Sequence, residues 1–290
     1  METSRAASTI PVAAATMIAF ASNSILCRLA LQPGFIDAAS FTAVRLVSGA
    51  LVLVAMTVFR KDPSWRTPHW GAALALIGYA APFSFAYVRI PVGAGALILF
   101  PAVQLTMIGW DLYHGKRLHG LEWLGLSLAM GGLVALTLPG ISAPDPLGAG
   151  LMALAGVSWG VYSLIGRGTK NPIGNTAGNF TYSLVFAFPM IVLSGDTVHV
   201  SATGLTFAAV SGAVASGVGY VLWYSLLPRI SATQAGILQL LVPVLAAIAG
   251  VAFLDEPLTS RLIFAGVAII AGVALAVVVP SSRSIEGTRA

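Results

Sequence analysis

Leu262-Ile263-Phe264-Ala265-Gly266-Val267-Ala268-Ile269-Ile270-Ala271-Gly272-Val273-Ala274-Leu275-Ala276-Val277-Val278-Val279 is an unbroken run of apolar and small residues. A helix needs about 20 mostly apolar residues to cross a bilayer. A barrel strand would instead alternate polar and apolar positions over about ten residues. This stretch does not alternate, so it reads as a helix in lipid. Similar runs recur along the chain. They predict an all-α membrane protein with ten transmembrane helices, roughly at 10–31, 38–59, 69–88, 92–112, 121–138, 147–166, 176–194, 204–227, 231–253 and 261–279.

Composition agrees with that reading. Of 290 residues, 57% are hydrophobic and 9% charged, with a mean hydropathy of +0.90. Soluble domains carry about 25% charged residues. This chain could not cover its surface with polar groups in water, and in lipid it does not need to. The net charge of +5 is scattered over short loops. Nucleic-acid binding requires a clustered basic face, so the bilayer is the expected partner. Cys27 is the only cysteine, which excludes an internal disulfide framework and a cysteine metal cluster. The first run is long and is followed by others like it, so it reads as a span rather than a signal peptide.

Turn residues divide the runs. Gln32-Pro33-Gly34, Arg60-Lys61-Asp62-Pro63 and Leu138-Pro139-Gly140 through Asp145-Pro146 are such breaks. Tighter joints are expected at Arg89-Ile90-Pro91 and Pro228-Arg229-Ile230. Lys and Arg concentrate on the cytoplasmic side of membrane proteins. With the N-terminus inside, 11 of the 15 basic residues are cytoplasmic. Arg28, Arg89 and Arg261 fall outside and Arg45 within a span. Both termini are then cytoplasmic.

The chain also repeats itself weakly. Ser24-Ile25-Leu26-Cys27-Arg28 resembles Ser163-Leu164-Ile165-Gly166-Arg167, and Arg89-Ile90 resembles Arg229-Ile230. Phe100-Pro101-Ala102-Val103 resembles Val242-Pro243-Val244, and the Gly125 helix resembles the Gly266 helix. All four pairs are about 140 residues apart. Two five-helix halves are therefore expected, residues 1–140 and 141–290. Five is odd, so the second half should enter the membrane from the opposite side. Inverted repeats of this kind build many secondary transporters.

Several stretches carry a family resemblance over nearly the whole chain. They are Trp159-Gly160-Val161-Tyr162-Ser163, its counterpart Phe20-Ala21-Ser22-Asn23-Ser24, the in-membrane Arg45, and Leu241-Val242-Pro243-Val244 running to Leu254-Asp255-Glu256-Pro257-Leu258-Thr259. The chain resembles the drug/metabolite transporter superfamily in its ten-helix EamA-type branch. Thr9-Ile10-Pro11-Val12 and the aromatic middle helices make it most similar to the YddG-type exporters of aromatic amino acids. His114-Gly115-Lys116 departs from the pattern, which usually has a Gly-Glu pair there. The resemblance implies export of aromatic and other neutral amino acids across a bacterial inner membrane. It also implies a pathway lined by the first, third, fourth, sixth, eighth and ninth helices.

A neutral amino acid carries an ammonium, a carboxylate and, if aromatic, a ring. Polar residues inside the membrane are the candidates to meet them, since each is costly without a partner. Asn23 and Ser24 lie mid-span, where a helix–helix hydrogen bond is the alternative. Tyr79 and Phe83 share a helix face, and Pro82 frees a carbonyl near Gly78; a packed kink is the alternative. Trp159, Tyr162, Ser163 and Gly166 share another face near mid-span, away from interfacial belts. Gln234 and Gln239 precede Pro243, and Gln239, near mid-span, could donate its amide to a carboxylate; interhelical bonding is the alternative. The expected substrate-binding residues are Trp159, Tyr162, Tyr79, Phe83, Asn23, Gln239 and Ser163. Tyr220, Trp223 and Tyr224 read as an interfacial belt, and Arg45 as a structural cation, with snorkelling or contact with a substrate carboxylate as the alternatives. Ser211, Ala215 and Gly219, like Ala268 and Gly272, are small residues that let helices approach.

All ten acidic residues and all four histidines fall at predicted helix ends or in loops. Proton-driven carriers commonly use an intramembrane relay of such groups, so facilitated transport is expected. There is no phosphate-binding Gly-x-x-x-x-Gly-Lys-Ser/Thr loop and no constellation for a membrane enzyme. No cofactor is expected, and a monomer is the expected unit. The alternatives are a drug or other metabolite exporter of the same superfamily and, from another class, a channel.

Overall fold

The computed structural model describes residues 2–67, 69–115, 120–138, 143–166, 169, 171–195, 198–226, 238–239 and 241–278. Pro139-Gly140, Arg167, Lys170, Pro228-Arg229-Ile230 and Gln234 lie outside the described residues, as do Lys116, Arg117 and the C-terminal Arg283 and Arg289. Among the described residues the long helices are α1 (Glu2–Leu31), α2 (Ala38–Phe59), α3 (Trp70–Tyr87), α4 (Val92–Tyr113), α5 (Gly120–Thr137), α6 (Pro146–Gly166), α7 (Pro172–Ser194), α8 (Ala202–Leu226), α9 (Leu241–Leu254) and α10 (Ser260–Val278), with a short 3-10 turn at Pro63–Arg66 after α2. Among the described residues, seven are long and apolar enough to cross a membrane, while α5, α9 and α10 are shorter apolar helices. Among the described residues the fold is all-helical and multi-pass in the membrane. Helices are required because lipid offers no partner to backbone N–H and C=O groups.

Three local features differ from the expected helices. Helix α1 starts at Glu2, with Pro11 inside it. Hydropathy marks only the part suited to lipid, Ile10–Leu31, and is blind to a polar helical extension. Helix α7 starts at Pro172 because Asn171 caps it, its side chain accepting from the Gly174 N–H, with proline at the first position. Both are ordinary start signals, masked by the apolar run that follows. Within α8, Ser211–Val218 winds as a π-helix, a form frequent at functional sites.

Helices α2 and α7 pack antiparallel, and a clasp holds each end. Where α2 begins, Asp37 accepts from Ser40 N and His199 N. Asp37 N and Ser201 N in turn donate to His199 O and Phe35 O. Where α2 ends, Asp62 and Ser64 bind the side chain of Asn171 at the start of α7. Helix α10 packs on α5, and the Arg261 guanidinium donates to Leu138 O at 2.6 Å. Helix α1 packs on α8 and α9, while α6 packs on α3 and α4.

Candidate functional site

The site grows from helical spacing. In α1, Phe20, Asn23 and Ser24 share a face, and in α3 Tyr79, Phe83 and Tyr87 form a ladder of rings one turn apart. With Ala96, Leu99 and Phe100 of α4, Trp159 of α6, and Ala215 and Tyr220 of α8, they line one cavity. The space among them, counting what is open to solvent, is about 440 Å³.

The rings form a connected cluster. Trp159 sits 4.9 Å from Tyr79 and 5.0 Å from Tyr220, centroid to centroid. Phe20 meets Trp159 edge-on at 6.2 Å and Tyr220 edge-on at 6.1 Å. Edge-on and tilted pairs suit the ring quadrupoles.

A polar network runs from Asn23 and Tyr79 of this wall to α2 and α8. Asn23 Nδ2 donates to Tyr79 Oη at 3.1 Å, and Ser211 Oγ donates to Asn23 Oδ1 at 2.7 Å. Arg45, 1% exposed, donates from Nη2 to Tyr79 Oη at 3.0 Å and from Nε to Ser216 Oγ at 3.1 Å. The guanidinium also lies 5.1 Å from the ring centres of Tyr79 and Phe83. Ser211 opens the π-helical stretch and Ser216 lies within it; their hydroxyls meet Asn23 of α1 and Arg45 of α2. Gly212 makes that approach possible, because a Cβ there would lie 2.1 Å from Arg45 O.

One end of the bundle is tied across the cavity. Arg28, at the end of α1, donates to Tyr87 O at 2.6 Å and pairs with Glu256 at 3.5 Å. Glu256 accepts from Val92 N with both oxygens, at 2.9 and 2.8 Å. That carboxylate therefore caps the positive end of α4 and bridges it to the loop after α9. Arg89 pairs with Asp145 at 3.7 Å at the surface of this end.

The expected site residues separate into two groups. Asn23, Tyr79, Phe83 and Trp159 come together on the cavity wall. Tyr162 is buried behind it, its hydroxyl accepting from Asn179 Nδ2 at 3.2 Å. Ser163 Oγ donates back to Trp159 O at 2.8 Å, closing a bond within α6. Gln239 is buried but does not line the cavity. Gly78 faces Ser158 of α6 rather than the cavity.

Tyr220 and Trp223, read from sequence as an interfacial belt, are 3% and 7% exposed and pack against Phe20. Both follow the π-helical stretch and turn inward onto α1, although their place near the end of the span suggested an interface. Sequence reading also missed Phe20, Tyr87 and the contacts of Arg45. The four-residue spacing from Tyr79 through Phe83 to Tyr87 was the signal for Tyr87. Phe20 stands at the position matching Trp159.

Comparison with known proteins adds a family. An uncharacterized protein of Pseudomonas aeruginosa is 49% identical over 262 residues, covering 89% of this chain and 91% of its own. The threonine/homoserine exporter RhtA of Salmonella typhimurium is 28% identical over 249 residues, covering 81% of this chain and 80% of its own. A solved crystal structure shares the fold with a TM-score of 0.67 at 21% identity, covering 93% of this chain and 96% of that one. The EamA-like transporter family matches residues 7–138 and matches again over residues 146–278. With two family matches spanning a multi-pass helical fold, the chain belongs to the EamA-like transporter family and is a membrane transporter.

Proposed function

We propose that this transporter exports neutral, chiefly aromatic, amino acids by alternating access. The observation that carries the reading is the cavity wall. It offers rings, an amide and hydroxyls, and among the described residues it contains no carboxylate or histidine. Aromatic faces attract an ammonium and stack on an aromatic side chain. The kinship with a threonine/homoserine exporter supports an amino-acid cargo. Without an acid or histidine at the cavity, transport runs down the substrate gradient and needs no proton.

The alternating mechanism rests on two halves of opposite orientation. The two family matches support the halves. So does the packing, where exchanging α1–α5 for α6–α10 converts each principal contact into another: α3 on α6 becomes α8 on α1, and α2 on α7 maps onto itself. Because α2 and α7 are antiparallel, that exchange inverts the membrane orientation. The cavity sits where the halves meet, so rocking one against the other exposes it to either side in turn. It lies within a single chain, which supports a monomeric unit.

The orientation with both termini cytoplasmic draws support from the three basic residues expected outside. Arg28 and Arg89 are paired to carboxylates, and Arg261 to a helix-end carbonyl. Each has a structural reason to be there.

Purified protein in liposomes, offered labelled phenylalanine, tryptophan, threonine and lysine, tests the cargo. Saturable uptake of phenylalanine and tryptophan, weaker uptake of threonine and none of lysine is the expected order. Lysine transport without aromatic transport would overturn it.

A further inference from the structure

We infer that Arg45, acting through Tyr79, makes the cavity selective for a ligand carboxylate. Arg45 lies about two turns inside α2. Among the described residues no carboxylate lies within ion-pair distance of it. A buried cation without an anion is costly, and in a membrane span such a residue marks a site with a partner to find. Arg28 and Arg261, which tie helix ends together, give donors to backbone carbonyls. This one gives Nε and Nη2 to two hydroxyls, while Nη1 is buried with no partner.

The link to the cavity is the Tyr79 hydroxyl. It accepts from Arg45 Nη2 and from Asn23 Nδ2, which occupies both of its lone pairs. Its own proton is left to donate, and Tyr79 is on the cavity wall. A charged donor polarises the phenol and strengthens that donation. Two more phenols on the same wall, Tyr87 and Tyr220, have buried hydroxyls with no hydrogen-bond partner. Two of the cavity's phenols thus have buried, unpartnered hydroxyls, and the third, Tyr79, keeps a proton backed by one uncompensated positive charge. The complementary group is an anionic acceptor small enough to lie among them, a carboxylate. Arg45 is thus a positioning residue and Tyr79 the contacting one. The inference adds a carboxylate subsite to the amino-acid reading above and rests on that reading only for the ammonium and the side chain.

Melting of the purified full-length protein in detergent, followed by tryptophan fluorescence, gives apparent affinities from ligand-dependent stabilisation. The probes are phenylalanine, phenylalaninamide, 3-phenylpropanoate and 2-phenylethylamine. The two carboxylates should bind at least about tenfold more tightly than the amide and the amine. That preference should collapse in Tyr79→Phe, which keeps the ring and its packing, and in Arg45→Gln. A purely structural Arg45 would lower the melting temperature without changing the preference. If Arg45→Gln does not fold, Tyr79→Phe decides alone. Binding of 3-phenylpropanoate without phenylalanine would uphold the carboxylate subsite and remove the amino-acid reading. A wild-type protein indifferent to the carboxylate, or an unchanged preference in Tyr79→Phe, would overturn the inference.

Discussion

Phe20 lies in the first stretch that matches the EamA-like family and Trp159 in the second, and their rings meet edge-on at 6.2 Å with an interplanar angle of 84°. Each family-matched stretch thus supplies a ring to one cavity. Trp159 also touches Tyr79, Tyr162 and Tyr220, which makes it the hub of the cluster. Replacing Trp159 with Ala should raise the half-saturation concentration for an aromatic amino acid at least about tenfold, with membrane insertion unchanged. Kinetics in liposomes checks this, and wild-type uptake in the variant would displace the site.

The Arg28–Glu256 pair predicts a labelling experiment. Both side chains are shielded, at 12% and 9% exposure, so removing one charge leaves the other poorly solvated. Cys27, the lone cysteine, is 0% exposed beside the pair. In Glu256→Gln the tie between α1 and the start of α4 loosens. The rate of N-ethylmaleimide addition to Cys27, read by mass spectrometry, should rise at least about tenfold, corresponding to about 1.4 kcal/mol less protection. An unchanged rate would show that this tie does not close that end.

Acid should weaken the two clasps that hold α2 to α7. Burial favours the protonated form of Asp37, but hydrogen bonds from Ser40 and His199 outweigh it and lower its pKa. Asn171 and then Ser64 lower that of Asp62. A carboxyl with a depressed folded pKa stabilises above its unfolded value of about 3.9 and loses that contribution as pH falls through the folded one. Melting temperature should therefore be insensitive to these groups near neutrality and fall in acid. Asp37→Asn with Asp62→Asn should flatten that acid limb.

Gly212 and Gly150 give a paired test of packing. A Cβ on Gly212 would lie 2.0 Å from Ser48 Oγ and 2.1 Å from the Arg45 carbonyl oxygen, whereas one on Gly150 meets nothing within 4 Å. Backbone cannot step aside, so Gly212→Ala must push α8 off α2, costing about 1–3 kcal/mol. Gly150→Ala should be neutral or stabilising, by up to about 1 kcal/mol in helix propensity. Thermal unfolding of both variants checks the difference.

The helices were legible because lipid requires long apolar runs, and turn residues interrupt them visibly. The joined faces were not. In water a buried face is apolar and an exposed face polar, which leaves a helical period in the sequence. In lipid both faces are apolar. Trp223 at 7% exposure and Phe188 at 70% therefore look alike in sequence. Asn23 and Tyr79 were legible as polar or aromatic residues mid-span, where few alternatives exist. The partners of Arg45 were not, because Ser216 comes from the other half of the chain and is turned toward it by the π-helical stretch.

The central claim is an alternating-access carrier for aromatic amino acids that needs no proton gradient. Counterflow tests it most directly. Liposomes loaded with unlabelled phenylalanine, at equal pH inside and out, are diluted into a trace of labelled phenylalanine. The account predicts a transient accumulation of label above its outside concentration, unaffected by a protonophore. Absence of that overshoot, or its appearance only with an imposed pH difference, would contradict it.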